Sequence, residues 1–177
     1  MALLIVISGP IGAGKSTVAQ LLGDLFRADG HSAAVIDLDE IYLMMSGKPM
    51  ADPAIWMRAR RSAAGLVDSF FRSGVEVVIL EGSFWDRAER DGILDHLSWH
   101  EEPHFVTLLV SYEEALRRVR GDATRRASRE PWFLQRNLAN FDTRWGAATH
   151  SDLVLDSSAQ TADEVATAIV ESAVEWR

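Results

Sequence analysis

The stretch Leu3-Leu4-Ile5-Val6-Ile7-Ser8-Gly9-Pro10-Ile11-Gly12-Ala13-Gly14-Lys15-Ser16 decides the fold. Its first six residues form a short run, apolar at nearly every position, as in a strand buried on both faces. The next eight carry the spacing Gly-x-x-x-x-Gly-Lys-Ser. Beyond them Val18, Leu21, Leu22, Leu25 and Phe26 recur with helical period on one face, until Gly30 stops the helix. Strand, glycine loop and helix in that order form the context a phosphate-binding loop requires. The glycines let the backbone curl so that successive N–H groups point at phosphate oxygens, and the helix N-terminus adds its dipole there. Lys15 supplies a mobile charge for the β and γ phosphates, the Ser16 hydroxyl is placed to coordinate Mg²⁺, and Thr17 helps hold the α-phosphate or the turn. The residues Gly9, Gly12, Ala13, Gly14, Lys15, Ser16 and Thr17 therefore read as the seat of a nucleoside triphosphate.

Four further apolar runs follow at Ala33–Leu38, Val75–Leu80, Phe105–Val110 and Leu153–Leu155, with helical periodicity between them. Asp86-x-x-Glu89, Ser111-x-x-Glu114 and Thr161-x-x-Glu164 read as helix starts, a side-chain cap with Glu three residues on, and Gly74 sits where a helix should turn into the third strand. Strand and helix alternate from end to end without repeat or linker, so residues 1–177 read as one α/β domain with a mostly parallel sheet and helices on both faces. In such a sheet ligands bind at the carboxyl ends of the strands.

Composition narrows the partners. The 177 residues include no cysteine, which excludes disulfides and thiolate metal sites. A net charge of −8 lacks the diffuse positive field of a non-specific nucleic-acid binder, which favours a small-molecule partner and makes long nucleic acid unlikely. The apolar run Ala2–Ile7 is too short for a signal core or a membrane span, so the default expectation is a cytoplasmic protein with no membrane partner.

At the second strand end, Ile36-Asp37-Leu38-Asp39-Glu40, strand alternation is expected to project Asp37 and Asp39 to one side, beside the phosphate loop. A carboxylate there accepts the proton of an attacking hydroxyl or orients it; Asp39 is the leading candidate for this base, with Asp37 as the alternative. Glu81, at the tip of the third strand, reaches Mg²⁺ through water or contacts the substrate. After the fourth strand come Arg117, Arg118, Arg120, Arg125, Arg126 and Arg129, interrupted by Gly121-Asp122. Leu116 and Val119 face the core and leave the arginines outward, a lid over about 117–131. Arginines on such a lid close over phosphates or stack on the base. The reading places Arg117 or Arg120 near the base and Arg125 or Arg126 at the phosphates.

Assembled, these residues resemble the small P-loop kinases, a superfamily that includes shikimate, gluconate and adenylylsulfate kinases, chloramphenicol phosphotransferase and polynucleotide 5′-kinases. The phosphate loop is the specific match. Asp37-Leu38-Asp39 is similar to the Asp-Gly-Asp motif of some members, and Leu116–Arg126 looks like the lid of the chloramphenicol phosphotransferase branch. The resemblance implies a three-layer P-loop NTPase sandwich with a five-stranded parallel sheet in the order 2-3-1-4-5. It also implies transfer of phosphate from ATP, with Mg²⁺, to a hydroxyl of a small molecule such as a metabolite or antibiotic. The chain departs from the superfamily in having Glu81 where an Asp after four apolar residues is usual, no glycine triplet after the third strand, and no base-reading Lys-Asp motif.

The acceptor region, about 40–62, is read as irregular and rich in Met and aromatic residues. Trp56 and Arg60 join Asp39 and Glu81 as substrate contacts, with Arg58 and Arg61 nearby and Trp85 and Arg87 as weaker candidates. His96, His100 and His104 repeat every four residues, but Pro103 breaks the helix and no carboxylate completes a metal set. Trp132–Trp145 reads as a helix closing the sheet with its aromatic residues in the core. Two alternatives stand beside the small-molecule kinase: a nucleoside, nucleotide or polynucleotide 5′-kinase, which needs two arginines converging near Trp56, and a nucleotide switch with slow hydrolysis. ATP against GTP, the acceptor and the oligomeric state stay open.

Overall fold

Five strands, β1 (Leu3–Ser8), β2 (Ala33–Asp37), β3 (Val77–Glu81), β4 (His104–Leu109) and β5 (Leu153–Asp156), form one parallel sheet in the order β2-β3-β1-β4-β5. The structure is a computed structural model that describes residues 2–47, 52–84, 86–99, 102–122, 129–146 and 150–176, with the backbone alone for 143–145. The helices are α1 (Lys15–Ala28), α2 (Leu38–Ser46), α3 (Pro53–Arg72), α4 (Arg87–Leu94), α5 (Tyr112–Gly121), α6 (Pro131–Trp145) and α7 (Ala162–Glu175). The sheet order is the one implied by the resemblance.

The period of two in β1 sorts its side chains between two layers. Leu3, Ile5 and Ile7 pack with Val18, Leu22 and Phe26 of α1 and Val165 and Ile169 of α7. Leu4 and Val6 pack on the other face with Ile41 and Tyr42 of α2, Ala63 and Val67 of α3, and Phe141 of α6. All six residues of β1 are buried, as its unbroken apolar run requires.

The chemistry of the helix starts is as read. Asp86 accepts from the backbone N–H of Glu89, Ser111 from that of Glu114, and Thr161 forms a full capping box with Glu164. Gly30 and Gly74 both take positive φ at the helix ends they close. Among the described residues no helix is long and apolar enough to cross a membrane.

Several expectations are corrected. β2 ends at Asp37 and α2 starts at Leu38, so Asp39 lies on the first helical turn and is exposed, not two strand positions along from Asp37. Residues 38–46 and 53–72 are helices rather than an irregular segment. Leu25 is 40% exposed, because the core face of α1 runs through Ala19 and Gly23 instead. Trp132 is 63% exposed; of the aromatic residues in α6, Phe141 carries the core contact. His100 lies outside the described residues, while His96 accepts from Arg61 Nε at 3.0 Å and His104 stacks on Trp176. Among the described residues no group of three or more His, Asp or Glu could hold a metal.

Candidate active site

The helix that begins at the glycine loop differs from most of its neighbours at the start. α2, α3, α4, α5 and α7 each receive a side-chain cap; α1 has none, and no acid stands in its first turn. Its first N–H groups and its positive dipole end are therefore left for an anion. Gly12 shows why the loop is glycine-rich. It holds φ +84°, and a Cβ there would lie 2.9 Å from Ala115 of α5. Lys15 donates from Nζ to Gly9 O at 3.0 Å and Pro10 O at 3.2 Å, so its ammonium spans the loop. Ser16 and Thr17 are exposed on the first turn of α1, and Ala13 is buried beneath the loop.

The sheet register brings two acids together. Asp37 pairs with Glu81 across β2 and β3, and Glu81 pairs with Ile7 at the carboxyl end of β1. Neighbouring parallel strands lie about 4.8 Å apart, so the two carboxyl groups share one patch at the loop's edge. Glu81 is buried, and desolvation pushes its carboxyl up to about 7; the Asp37 charge and hydrogen bond push the same way, against Lys15 and the Ser16 hydroxyl. Near neutral pH the patch therefore holds an acid able to share a proton with its neighbour. Asp37 Oδ1 also accepts from the N–H groups of Asp39 (2.8 Å) and Glu40 (3.3 Å), which pins its carboxylate at the start of α2. Gly82, just past Glu81, leaves room for α2, since a Cβ there would lie 2.8 Å from Leu38 Cβ.

On the opposite side of the loop, one arginine of the lid helix turns inward. Arg118 donates from Nη1 to Gly12 O (3.1 Å) and Ser157 Oγ (3.1 Å), and from Nη2 to Ser157 O (2.5 Å). Its Nε meets Glu114 Oε1 at 2.7 Å. Ser157, just past β5, donates in turn to Ala13 O at 3.0 Å. Hydrogen bonds from Arg117 and Arg118 hold the Glu114 carboxyl down at about 2. A cavity of about 300 Å³ opens here, walled by Gly14, Thr17, Arg117, Arg118, Gln160 and Thr161. Arg117, read as near the base, lines this cavity. Arg120 is exposed and does not line this cavity, and Arg125 and Arg126 lie outside the described residues, as does Trp85. The expectation that the arginines of this helix all face outward fails at Arg118, whose pairing with Glu114 four residues earlier was legible. Asn137 was not legible: one of three amides in α6, it accepts from Ile11 N at 2.9 Å and ties α6 to the loop.

The acceptor residues are packed more tightly than the sequence suggests. Trp56 stacks on Tyr42 at 4.1 Å, and Arg60 lies 5.7 Å from the Trp56 ring centroid. Arg60 is buried and paired with Glu89 at 3.0 Å, burial lowering its pKa against the pull of Glu89 and Asp86. The guanidinium stays charged, so Arg60 helps fix α3 against α4. Arg58 and Arg61 are exposed, and among the described residues one arginine, Arg60, stands on Trp56. Around them Met44 is 81% exposed, and Met45 and Met57 are exposed as well.

Residues 4–142 match the family model described as an AAA domain. None of the curated proteins matches the chain. Among solved structures it is similar to shikimate kinase from Acinetobacter baumannii in complex with shikimate, at 19% identity and TM-score 0.63, covering 99% of this chain and 94% of that one. It is similar to a gluconokinase from Sinorhizobium meliloti and to the tunicamycin resistance protein of Deinococcus radiodurans. Each is 19% identical with TM-score 0.67, covering 98% of this chain and 96% of the other. At these identities the likeness establishes the P-loop kinase fold.

Proposed function

The chain belongs to the AAA-domain family, and from that premise we propose that it transfers the γ-phosphate of ATP to a hydroxyl of a small molecule. The observation that carries the reading is the acid pair at the loop's edge, buried Glu81 beside half-buried Asp37, set against Lys15 and Ser16. One carboxylate suffices to reach the nucleotide's cation; a second fixed beside it suits the acceptor hydroxyl.

The geometry supports the following division of labour. ATP phosphates lie on the uncapped start of α1, with Lys15 on the β and γ oxygens and the base in the cavity beside Arg117 and Arg118. The acceptor oxygen attacks the γ-phosphorus, its proton passes to Asp37, and the β-phosphate oxygen leaves with ADP. Asp37 suits the base role better than Asp39 because two backbone N–H groups fix it in place. Glu81 holds a proton or gives it up to a cation. Ser16 and Glu81 would offer hard oxygen donors to Mg²⁺, which leaves Asp37 for the acceptor's proton. When bound, the ion neutralises charge on the transferring phosphate. The exposed methionines of α2 and α3 suit an acceptor with an apolar body, an antibiotic or a metabolite.

The test is coupled ADP release over a panel of hydroxylated metabolites, nucleosides and antibiotics. Release that depends on one acceptor class is expected. Acceptor-independent hydrolysis as the only activity would overturn the reading in favour of a nucleotide switch.

A further inference from the structure

We propose that the N-terminal half of α6 is a second wall of the acceptor site, built for an acceptor that bears a planar ring and an anionic group. The proposal rests on the kinase reading for the word acceptor, but its evidence is separate. A cavity of about 330 Å³ runs along α6, its described wall formed by Trp132, Phe133, Arg136, Asn137 and Asn140. That volume is at the small end of small-molecule sites. Trp132, Arg136 and Asn140 follow one another at four-residue spacing and so share a helix face.

Each part of the wall has a chemical use. The Trp132 indole is 63% exposed and stands edge-to-face on Phe133, with centroids 5.7 Å apart at 89°, so a neighbouring ring orients its free face. Arg27, Arg60, Arg87, Arg117 and Arg118 each sit on a carboxylate. Arg136 has none among the described residues, and positions 132, 133, 139 and 140, three and four residues away on its helix, hold Trp, Phe, Ala and Asn. An unpaired guanidinium beside a flat indole suits a ring with a negative substituent.

Position separates this wall from an ordinary solvated face. Asn137 lines the cavity and is itself 8% exposed, with its Oδ1 on Ile11 N of the phosphate loop. A molecule in the cavity therefore lies against the residue that holds the phosphate loop.

The test titrates the full chain, its nucleotide site filled with a non-hydrolysable ATP analogue and Mg²⁺, with three probes: uridine monophosphate (ring and anion), uridine (ring alone) and gluconate (anion alone). Uridine monophosphate is expected to bind tightest. Trp132→Ala should weaken both ring probes about 10-fold, within what stacking a base on an aromatic side chain is worth. Arg136→Gln should weaken uridine monophosphate and leave uridine unchanged. Affinity for the ATP analogue, unaltered in both variants, reports an intact fold. Gluconate binding as tightly as uridine monophosphate, Trp132→Ala binding like the wild type, or no ring probe binding while the analogue does would each overturn the proposal. Failure of every acceptor in the ADP-release assay would sink the kinase reading and leave this titration to decide the wall on its own.

Discussion

Replacing Glu81 by Gln isolates the acid pair. In the folded chain burial raises this carboxyl from its ordinary 4.5 to about 7. Between those values the native state keeps a proton that the unfolded chain has released, so stability falls as pH rises, by about 1.4 kcal/mol per pH unit. The advantage is fully present below 4.5 and lost by about 7, a total of about 3 kcal/mol. Gln keeps the shape and cannot ionise. The substitution also alters the hydrogen bonds to Ser16 and Asp37, but that change is common to both ends of the pH range. The informative quantity is therefore a double difference: unfolding free energy of variant minus wild type at pH 8, less the same quantity at pH 5. Urea melts at the two pH values, without Mg²⁺ or nucleotide, measure it, and other titrating groups cancel. The variant should gain about 2.5 kcal/mol over the wild type on going from pH 5 to pH 8, part of the total being already lost at pH 5. A double difference near zero would refute a buried, proton-holding Glu81 and with it the main support for the catalytic reading.

Further expectations concern single residues. Lys15→Ala should abolish phosphoryl transfer while lowering the unfolding free energy by no more than about 1–2 kcal/mol, the worth of its hydrogen bonds to Gly9 O and Pro10 O. Asp37→Asn keeps a good N-cap for α2, so stability should hold while turnover drops about 10²-fold or more; Asp39→Asn should stay within a few-fold, and the reverse order would return the base role to Asp39. Arg118→Ala should raise the KM for ATP about 10-fold or more, since a charged hydrogen-bond set worth about 1.5–3 kcal/mol is lost, and Arg118→Lys should not restore it. Arg60→Ala should cost about 3 kcal/mol in denaturant melts by emptying a buried site between Trp56 and Glu89, whereas the double change Arg60→Met with Glu89→Leu should recover most of that.

The fold was legible because its signals are local and repeated. A glycine loop between an apolar run and a periodic helix has few structural solutions, and the caps at Asp86, Ser111 and Thr161 each mark an end that the backbone must satisfy. The same grammar explains the main misreading. Asp37-x-x-Glu40 has the spacing of those caps, and Asp52-Pro53 places a cap before a proline, so the helices at 38–46 and 53–72 were announced by the residues read as strand end and irregular loop. Trp132 was assigned to the core by residue type alone, although the buried stripe of α6 runs through Leu134 and Phe141.

The sequence by itself determined that a triphosphate loop opens an α/β sheet, because the glycine spacing from Gly9 to Ser16, the apolar run before it and the periodic helix after it are contiguous along the chain. Tertiary structure alone decided which side chains serve that loop. Glu81 meets Asp37 through the register of β3 against β2, Arg118 reaches Gly12 from 106 positions away, and Asn137 reaches Ile11 from 126. Those pairings depend on how strands and helices pack, and the packing is set by the whole apolar core rather than by the chemistry of any one segment.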